Sequence, residues 1–326
     1  MEDKKLKIVF FGTPEFAVAS LDRLVKKGFD IAAVVTMPDK IGGRGHKVIR
    51  SAVKEYAEAN NLPLLQPERL KDPEFVDALR KINADLFIVI AFRMLPEVVW
   101  TMPPMGTFNL HGSLLPRYRG AAPINRAVMN GDTETGVTTF FLKHEIDTGD
   151  VIGMEKIDIG PDEDAGSVHD RLMEIGATLT CSTVEKIAAG GVEAVPQQHM
   201  TDCEPSAAPK IFKEDCHIDW NRPAGTVHNL VRGLAPHPGA WTELCSPDGS
   251  VLSVKILKTS LPQQDHGTVL SPGHINFDGR ELWCGCADGT CLQLLTVQPA
   301  GKKPMAAADF ARGLRNGTDG TAPWFQ

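Results

Sequence analysis

The sequence predicts an α/β protein with a Rossmann-like, mostly parallel sheet in its first part and a small β-barrel in its second. Three observations carry this. Residues 7–12, Lys-Ile-Val-Phe-Phe-Gly, run apolar without alternation, as a strand buried on both faces does. A helix-length stretch, 15–27, and a second apolar run, 30–36, follow directly, which is a βαβ opening. Beyond residue 210 the pattern changes to short runs separated by Pro-Asp-Gly, Asp-Gly-Arg and Asp-Gly-Thr turns, the spacing of a small barrel.

The elements follow in order. Gly12-Thr13-Pro14 is a tight turn and Pro14 can open the first helix, which Gly28 ends. The turn lacks the G-x-G-x-x-G pattern and no Walker lysine follows, which argues against a dinucleotide or nucleoside triphosphate here. Residues 38–47 form a basic, glycine-rich loop with Lys40, Arg44, Lys47 and nearby Arg50, of the kind that meets phosphates. A helix is expected over 53–60, a short strand at 64–66, and a helix over 72–81 with Asp72 as cap and Pro73 in its first turn. The apolar run 85–92 is a buried strand whose end lies at the carboxyl edge of the sheet, where open α/β folds place ligands. Residues 123–130 read as a helix, 136–142 and 151–154 as strands, and 166–189 as a long helix closed by Gly190-Gly191. Residues 204–209, with two prolines and small residues, read as an extended connector. This gives a catalytic domain at 1–203, a linker at 204–209 and a second domain at 210–326.

Composition bounds the function. The chain has 326 residues, 42% hydrophobic and 23% charged, with a net charge of −7. The length suits two domains. No apolar run approaches the ~20 residues that span a bilayer, and the start runs straight into a strand, so neither membrane span nor signal peptide is expected. The seven cysteines lack zinc-site spacing and read as reduced thiols, so no metal is expected.

Residues 109–120, Asn-Leu-His-Gly-Ser-Leu-Leu-Pro-Arg-Tyr-Arg-Gly, concentrate the chemistry. If 108–111 is extended, Asn109 and His111 share a face. An amide and an imidazole then converge where an oxygen can become negative, and the imidazole can move a proton. Asp147, in the glycine turn Asp147-Thr148-Gly149-Asp150, can orient His111 or take a proton near it. No serine or cysteine nucleophile stands beside this base, which points to acyl or formyl transfer to an external nucleophile.

The motif Asn109-x-His111-Gly112-Ser113-Leu114-Leu115-Pro116, with Asp147 downstream, resembles the signature of the folate-dependent formyltransferases. Residues 116–124, Pro-Arg-Tyr-Arg-Gly-Ala-Ala-Pro-Ile, and 299–305, Pro-Ala-Gly-Lys-Lys-Pro-Met, resemble more narrowly those acting on methionyl-tRNA. The resemblance implies an OB-like barrel at the second domain. It implies 10-formyltetrahydrofolate as donor and the α-amine of initiator methionyl-tRNA as acceptor, in a cytoplasmic monomer. Asn109 and His111 would stabilise the oxyanion, and Asp147 would support His111 and proton transfer. Folate contacts are implied at Ala91, Phe92, Arg93 and Met94, and at Ser113, Leu114, Leu115 and Pro116. The family usually carries Ala-Tyr-Gly-x-x-Leu-Pro where this chain has Ala91-Phe92-Arg93-Met94-Leu95-Pro96. tRNA contacts are implied at Lys40, Arg44, Lys47, Arg50, Lys302 and Lys303, with Arg44 central. Other readings are a folate-dependent formyl hydrolase, a small-amine formyltransferase and a non-catalytic RNA-binding protein. The barrel and basic loop speak against the first two, and the complete Asn109, His111, Asp147 set speaks against the third.

Overall fold

The structure, a computed structural model, describes residues 6–42, 47–200, 203–262, 269–314 and 322–326. The chain forms two compact units. One comprises Met1–Pro123, Thr135–Ile157 and His169–Ala208; the other comprises Ile124–Glu134, Asp158–Val168 and Pro209–Gln326. Two stretches that lie within 1–203, 124–134 and 158–168, therefore cluster with the second unit.

The first unit begins β1 (Lys7–Gly12), α1 (Glu15–Lys26), β2 (Asp30–Val35), β3 (Lys40–Gly42), β4 (Lys47–Ile49), α2 (Ala52–Ala59), β5 (Leu64–Leu65), α3 (Pro73–Ile82), β6 (Leu86–Ile90), α4 (Glu97–Trp100), β7 (Thr107–His111) and β8 (Arg119–Gly120). It continues through β9 (Glu134–Phe141), β10 (Val151–Asp158), the greater part of α6 (Ala165–Ala188) and β11 (Ala207–Ala208), while α5 (Pro123–Met129) beyond its first residue and the first turn of α6 cluster with the second unit. The main sheet runs β10-β9-β7-β6-β1-β2-β5. From β7 to β5 the pairings are parallel, and β9 joins antiparallel to β7. The unbroken apolar runs are explained by burial on both faces: Ile8, Val9, Phe10 and Phe11 of β1 and Leu86, Ile88 and Ile90 of β6 have no exposed surface. Asp72 caps α3 by accepting from the Glu74 N–H, with Pro73 in the first turn.

Two segments differ from the sequence expectation. The basic loop carries a two-stranded ladder, Lys40↔Ile49, Ile41↔Val48 and Gly42↔Lys47. The β-branched pair Val48-Ile49 outweighs the neighbouring Gly42. Its Ile41, Val48 and Ile49 are exposed. The connector is part of the first unit's backbone network: β11 pairs in parallel with β8, Ala207↔Arg119 and Ala208↔Gly120.

The second unit holds α7 (Ala224–Leu234), β12 (Ala240–Cys245), β13 (Val251–Ser260), β14 (Ile275–Phe277), β15 (Leu282–Gly285), β16 (Cys291–Pro299), β17 (Met305–Ala306), α8 (Ala307–Arg312) and β18 (Trp324–Phe325). Its sheet runs β14-β15-β16-β13-β12-β18. A bridge between His274 and Trp324 brings its two edges together, and the Phe325 N–H donates to the Gly273 carbonyl over 2.8 Å. The result is a nearly closed antiparallel barrel, which removes the exposed edges an open sheet leaves. Phe325 stacks on Trp220 inside it.

Within this unit α7 holds the 158–168 stretch through buried polar groups. Arg232 donates to the carbonyls of Gly160 and Glu163. His228 Nε2 donates to the Pro161 carbonyl at 3.2 Å, and Nδ1 accepts from the Thr259 hydroxyl at 2.9 Å. Burial lowers the His228 pKa, nearby Arg232 adds to this, and the Pro161 carbonyl and Asp162 oppose it. The folded state thus binds this proton less readily than the unfolded chain, whose histidine titrates near ~6.5. Its contribution to stability is complete above that value and is lost as pH falls below it toward the depressed folded value. The urea midpoint should therefore drop between pH 7.5 and pH 5.5, and His228→Gln should drop less over the same interval.

Candidate active site

The candidate site lies at the carboxyl ends of the parallel strands. Gly12 of β1 registers with Ile90 of β6, and Ile90 with Leu110 of β7, so Thr13, Ala91 and His111 leave the sheet at one level. Asn109 and His111 occupy alternate positions on β7, opposite Phe140 and Thr138 of β9, and share one face.

The loop after β7 turns back on the strand it leaves. Thr138 ties its first part down, donating to the Ser113 carbonyl at 2.7 Å and accepting from the Leu115 N–H at 3.2 Å. Ser113, fully buried, donates its hydroxyl to the Arg117 carbonyl. Tyr118 then takes a left-handed conformation, φ +61°, with its N–H donating to Ser206 Oγ at 2.9 Å. Ser206 O also accepts from the Arg119 N–H. The Tyr118 carbonyl lies 2.8 Å from His111 Nε2. A carbonyl only accepts, so Nε2 carries the hydrogen and Nδ1 of the neutral ring is bare.

That bare nitrogen faces Asp147, whose Oδ2 lies 3.7 Å from Nδ1. This is beyond hydrogen-bond length. A proton arriving at Nδ1 creates an imidazolium against a carboxylate. Asp147 also accepts from the Gly120 N–H at 2.8 Å and itself sits in the left-handed region, φ +55°. Gly149 is required for room: a Cβ there would lie 1.6 Å from the Phe141 carbonyl oxygen. Asn109 Oδ1 is buried and has no hydrogen-bond partner among the described residues. An unpaired amide acceptor costs on the order of 1–3 kcal/mol, and a ligand donor or a small local shift would recover it.

The remaining residues named from the sequence fall into three groups. Ala91 has φ +47° and is exposed, as is Met94. Half-buried Phe92 packs on Phe11. Arg93 bridges away from the sheet edge, donating to the carbonyls of Pro67 and Glu68 with its guanidinium over the Phe92 ring. Burial lowers its pKa. In the signature, Ser113, Leu115 and Pro116 are buried and Leu114 is half-buried, so the first three support the loop by packing. Among the basic residues, Arg50 pairs with Glu58, Lys40 is exposed, and Lys302 and Lys303 are exposed in the turn after β16. Arg44 lies outside the described residues, and Lys47 is described by its backbone in β4.

Sequence reasoning missed Gln197 and Ser206, which hold the loop and the Asp147 turn from a distance of many residues. No local pattern marks either one. Among the described residues no three or more His, Cys, Asp or Glu are grouped to hold a metal ion.

Arg93→Ala should release the 67–68 segment. Hydrogen bonds from charged groups are worth about 1.5–3 kcal/mol each. A loss of about 2 kcal/mol in urea unfolding, larger than for Arg80→Ala on an exposed pair, is the expected outcome.

Residues 6–184 match the formyl transferase family model, and 210–315 match the formyl transferase C-terminal domain. A methionyl-tRNA formyltransferase of Bacteroides fragilis is 52% identical over 315 residues, 96% of this chain and 97% of that protein. One from Porphyromonas gingivalis is 47% identical, covering 98% and 99%. Among solved structures, the sugar 3N-formyl transferase WlaRD, determined with dTDP and 5-N-formyl-THF, superposes with a TM-score of 0.64 at 20% identity, covering 91% of this chain and 99% of that one. HypX from Aquifex aeolicus, in complex with tetrahydrofolic acid, gives 0.63 at 18% identity, with 96% of this chain on 49% of that one. These two likenesses show the fold. With both domains matched and half its residues shared across nearly its full length, the chain belongs to the methionyl-tRNA formyltransferase family.

Proposed function

We propose that this protein transfers the formyl group of 10-formyltetrahydrofolate to the α-amine of methionine on initiator tRNA, giving N-formylmethionyl-tRNA, and that it acts as a monomer in the cytoplasm. The observation that carries the chemistry is the bare His111 Nδ1 facing Asp147, on the same sheet face as the incompletely satisfied Asn109 amide. An α-amine has an ordinary pKa of about 7.7–8.0, so a useful neutral fraction attacks near neutral pH. The amine nitrogen bonds to the formyl carbon, and the bond from that carbon to N10 of the folate breaks. The nitrogen gives up one proton, and N10 takes one.

Asn109 supplies a hydrogen-bond donor to the formyl oxygen as it becomes negative. His111 accepts the amine proton at Nδ1, Asp147 stabilises the imidazolium that forms, and the same nitrogen returns a proton to N10. With Nε2 committed to the Tyr118 carbonyl, His111 acts on the oxyanion only through a protonated Nδ1. The direct oxyanion role therefore falls mainly on Asn109. Folate would lie against Ala91–Met94 and Leu114. In the tRNA arm, the exposed apolar residues of the β3–β4 ladder beside Lys40 suit contact with nucleotide faces, and Arg44, Lys47, Arg50, Lys302 and Lys303 suit phosphates.

The deciding assay is formyl transfer from 10-formyltetrahydrofolate to methionyl initiator tRNA, with a free-amine acceptor and a no-acceptor control. Formylation restricted to tRNA-bound methionine is expected. Deformylation without acceptor would instead indicate a hydrolase, and absence of donor turnover a binding protein. Asn109→Ala and Asp147→Ala should each fold and lower single-turnover transfer at least about a hundredfold, a loss of about 2.7–4 kcal/mol of transition-state stabilisation. Near-normal rates in both would overturn the assignment. Arg44→Ala should weaken tRNA use and reduce its salt slope by about 1 while sparing folate binding; unchanged tRNA kinetics would remove the arm from the recognition surface.

A further inference from the structure

We infer that Gln197 is a positioning residue for formyl transfer, setting the distance between Asp147 and His111 through both segments that hold the carboxylate. The inference rests on the reading that Asp147 and His111 carry the reaction.

Gln197 is 5% exposed. Its Nε2 donates to the carbonyl of Asp147 at 2.9 Å and to that of Gly149 at 2.8 Å. Its Oε1 accepts from Arg119 Nε at 3.1 Å and Nη2 at 2.7 Å. Both hydrogens and both lone pairs are used, and the chemistry of the partners allows one orientation: guanidinium N–H groups require the oxygen, and carbonyls require the nitrogen. A buried polar network satisfied at every member is rigid, and losing one member exposes the others to an unpaired state.

What the amide joins is specific to the site. On one side is the turn that carries the Asp147 carboxylate in a left-handed backbone conformation. On the other is Arg119, the residue before Gly120, whose N–H holds Asp147 Oδ2. Gln197 thus ties together the peptide that presents the carboxylate and the residue next to the N–H that grips it. The same short loop presents the Tyr118 carbonyl to His111 Nε2. Relaxing the amide therefore changes the 3.7 Å separation between Asp147 Oδ2 and His111 Nδ1 without touching either side chain. A shift of about 1 Å at such a pair can cost on the order of a hundredfold in rate.

Gln197→Glu tests this directly. The carboxylate keeps the Arg119 contact and places an oxygen against two carbonyl oxygens, which pushes the 147–149 turn away. Gln197→Met keeps the bulk and removes all four hydrogen bonds, and it serves if the glutamate variant fails to fold. In the full-length protein, confirmed folded by circular dichroism, we expect kcat with methionyl-tRNA to fall ten- to hundredfold. KM for tRNA and for the formyl donor should stay within about threefold, and the acid limb of the pH–kcat profile should move. A purely structural role would lower the melting temperature and leave kcat of the folded protein and its pH profile unchanged. That result in either folded variant overturns the inference, as does inability of both variants to fold, since Gln197 would then be required for the fold as such. Asp147→Asn is assayed alongside. If it retains full activity, the underlying reading fails. If it is inactive while the Gln197 variants match wild type, only the positioning role fails. Adding Gln197→Met to Asp147→Asn should produce no further loss in kcat, because the residue acts through Asp147.

Discussion

Almost everything at the site follows from where the Tyr118 carbonyl points. A buried imidazole at the end of a strand needs a partner for each ring nitrogen, and the sheet supplies none. The loop after β7 provides one by returning with Tyr118 in a left-handed conformation, so that its carbonyl meets Nε2. That single contact fixes the tautomer of His111 and turns the other nitrogen toward Asp147. Two positions along, the Gly120 N–H reaches the same carboxylate. Glycine is needed there, because a Cβ would lie 2.5 Å from the Ala208 carbonyl oxygen. The chemistry of the side chains is thus selected by backbone groups, which mutation alters little unless it alters the turn.

The division of labour between the ends of β6 and β7 is informative. At the end of β7, Asn109 and His111 share one face, and a backbone carbonyl holds the imidazole. At the end of β6 the long side chain of Arg93 bonds to the carbonyls of Pro67 and Glu68 and so braces the neighbouring loop, leaving Ala91 and Met94 open. At this point the backbone shape is held by a guanidinium. Its buried Nε has no partner among the described residues, so two of the three kinds of nitrogen on that group are used and the third is a residual cost.

Much of this was legible in the sequence, for local reasons. A period of two places Asn109 and His111 on one face whatever the rest of the chain does. Unbroken apolar runs announce strands covered on both sides, and Asp72-Pro73 announces a helix start. The turn at 147–150 was visible as a glycine between two apolar runs, although the glycine serves to clear Phe141 O rather than to reach a left-handed angle. What stayed hidden depends on contacts across long sequence separations. Gln197 looks like any amide in a loop until the fold sets it between Arg119 and Asp147. Ser206 sits in a stretch whose prolines and alanines read as spacer. The β3–β4 ladder was obscured by glycines that are strong breakers in isolation and weak ones beside Lys47-Val48-Ile49.

The parallel pairing of β11 with β8 makes residues 206–208 structural members of the first unit. Ser206 touches the backbone of Pro116, Tyr118 and Arg119, and the Ala208 carbonyl receives the N–H groups of Ala121 and Ala122. A boundary drawn by composition, just before this stretch, would leave the returning loop without the strand it is zipped to. Ending the polypeptide at residue 203 would remove the β11 partner of β8 and the Ser206 contacts to the loop. A protease that nicks between 203 and 206 would loosen the strand against which the loop bearing Tyr118 and Gly120 is registered. Susceptibility of this stretch to cleavage is therefore a direct reporter of whether that loop is in place.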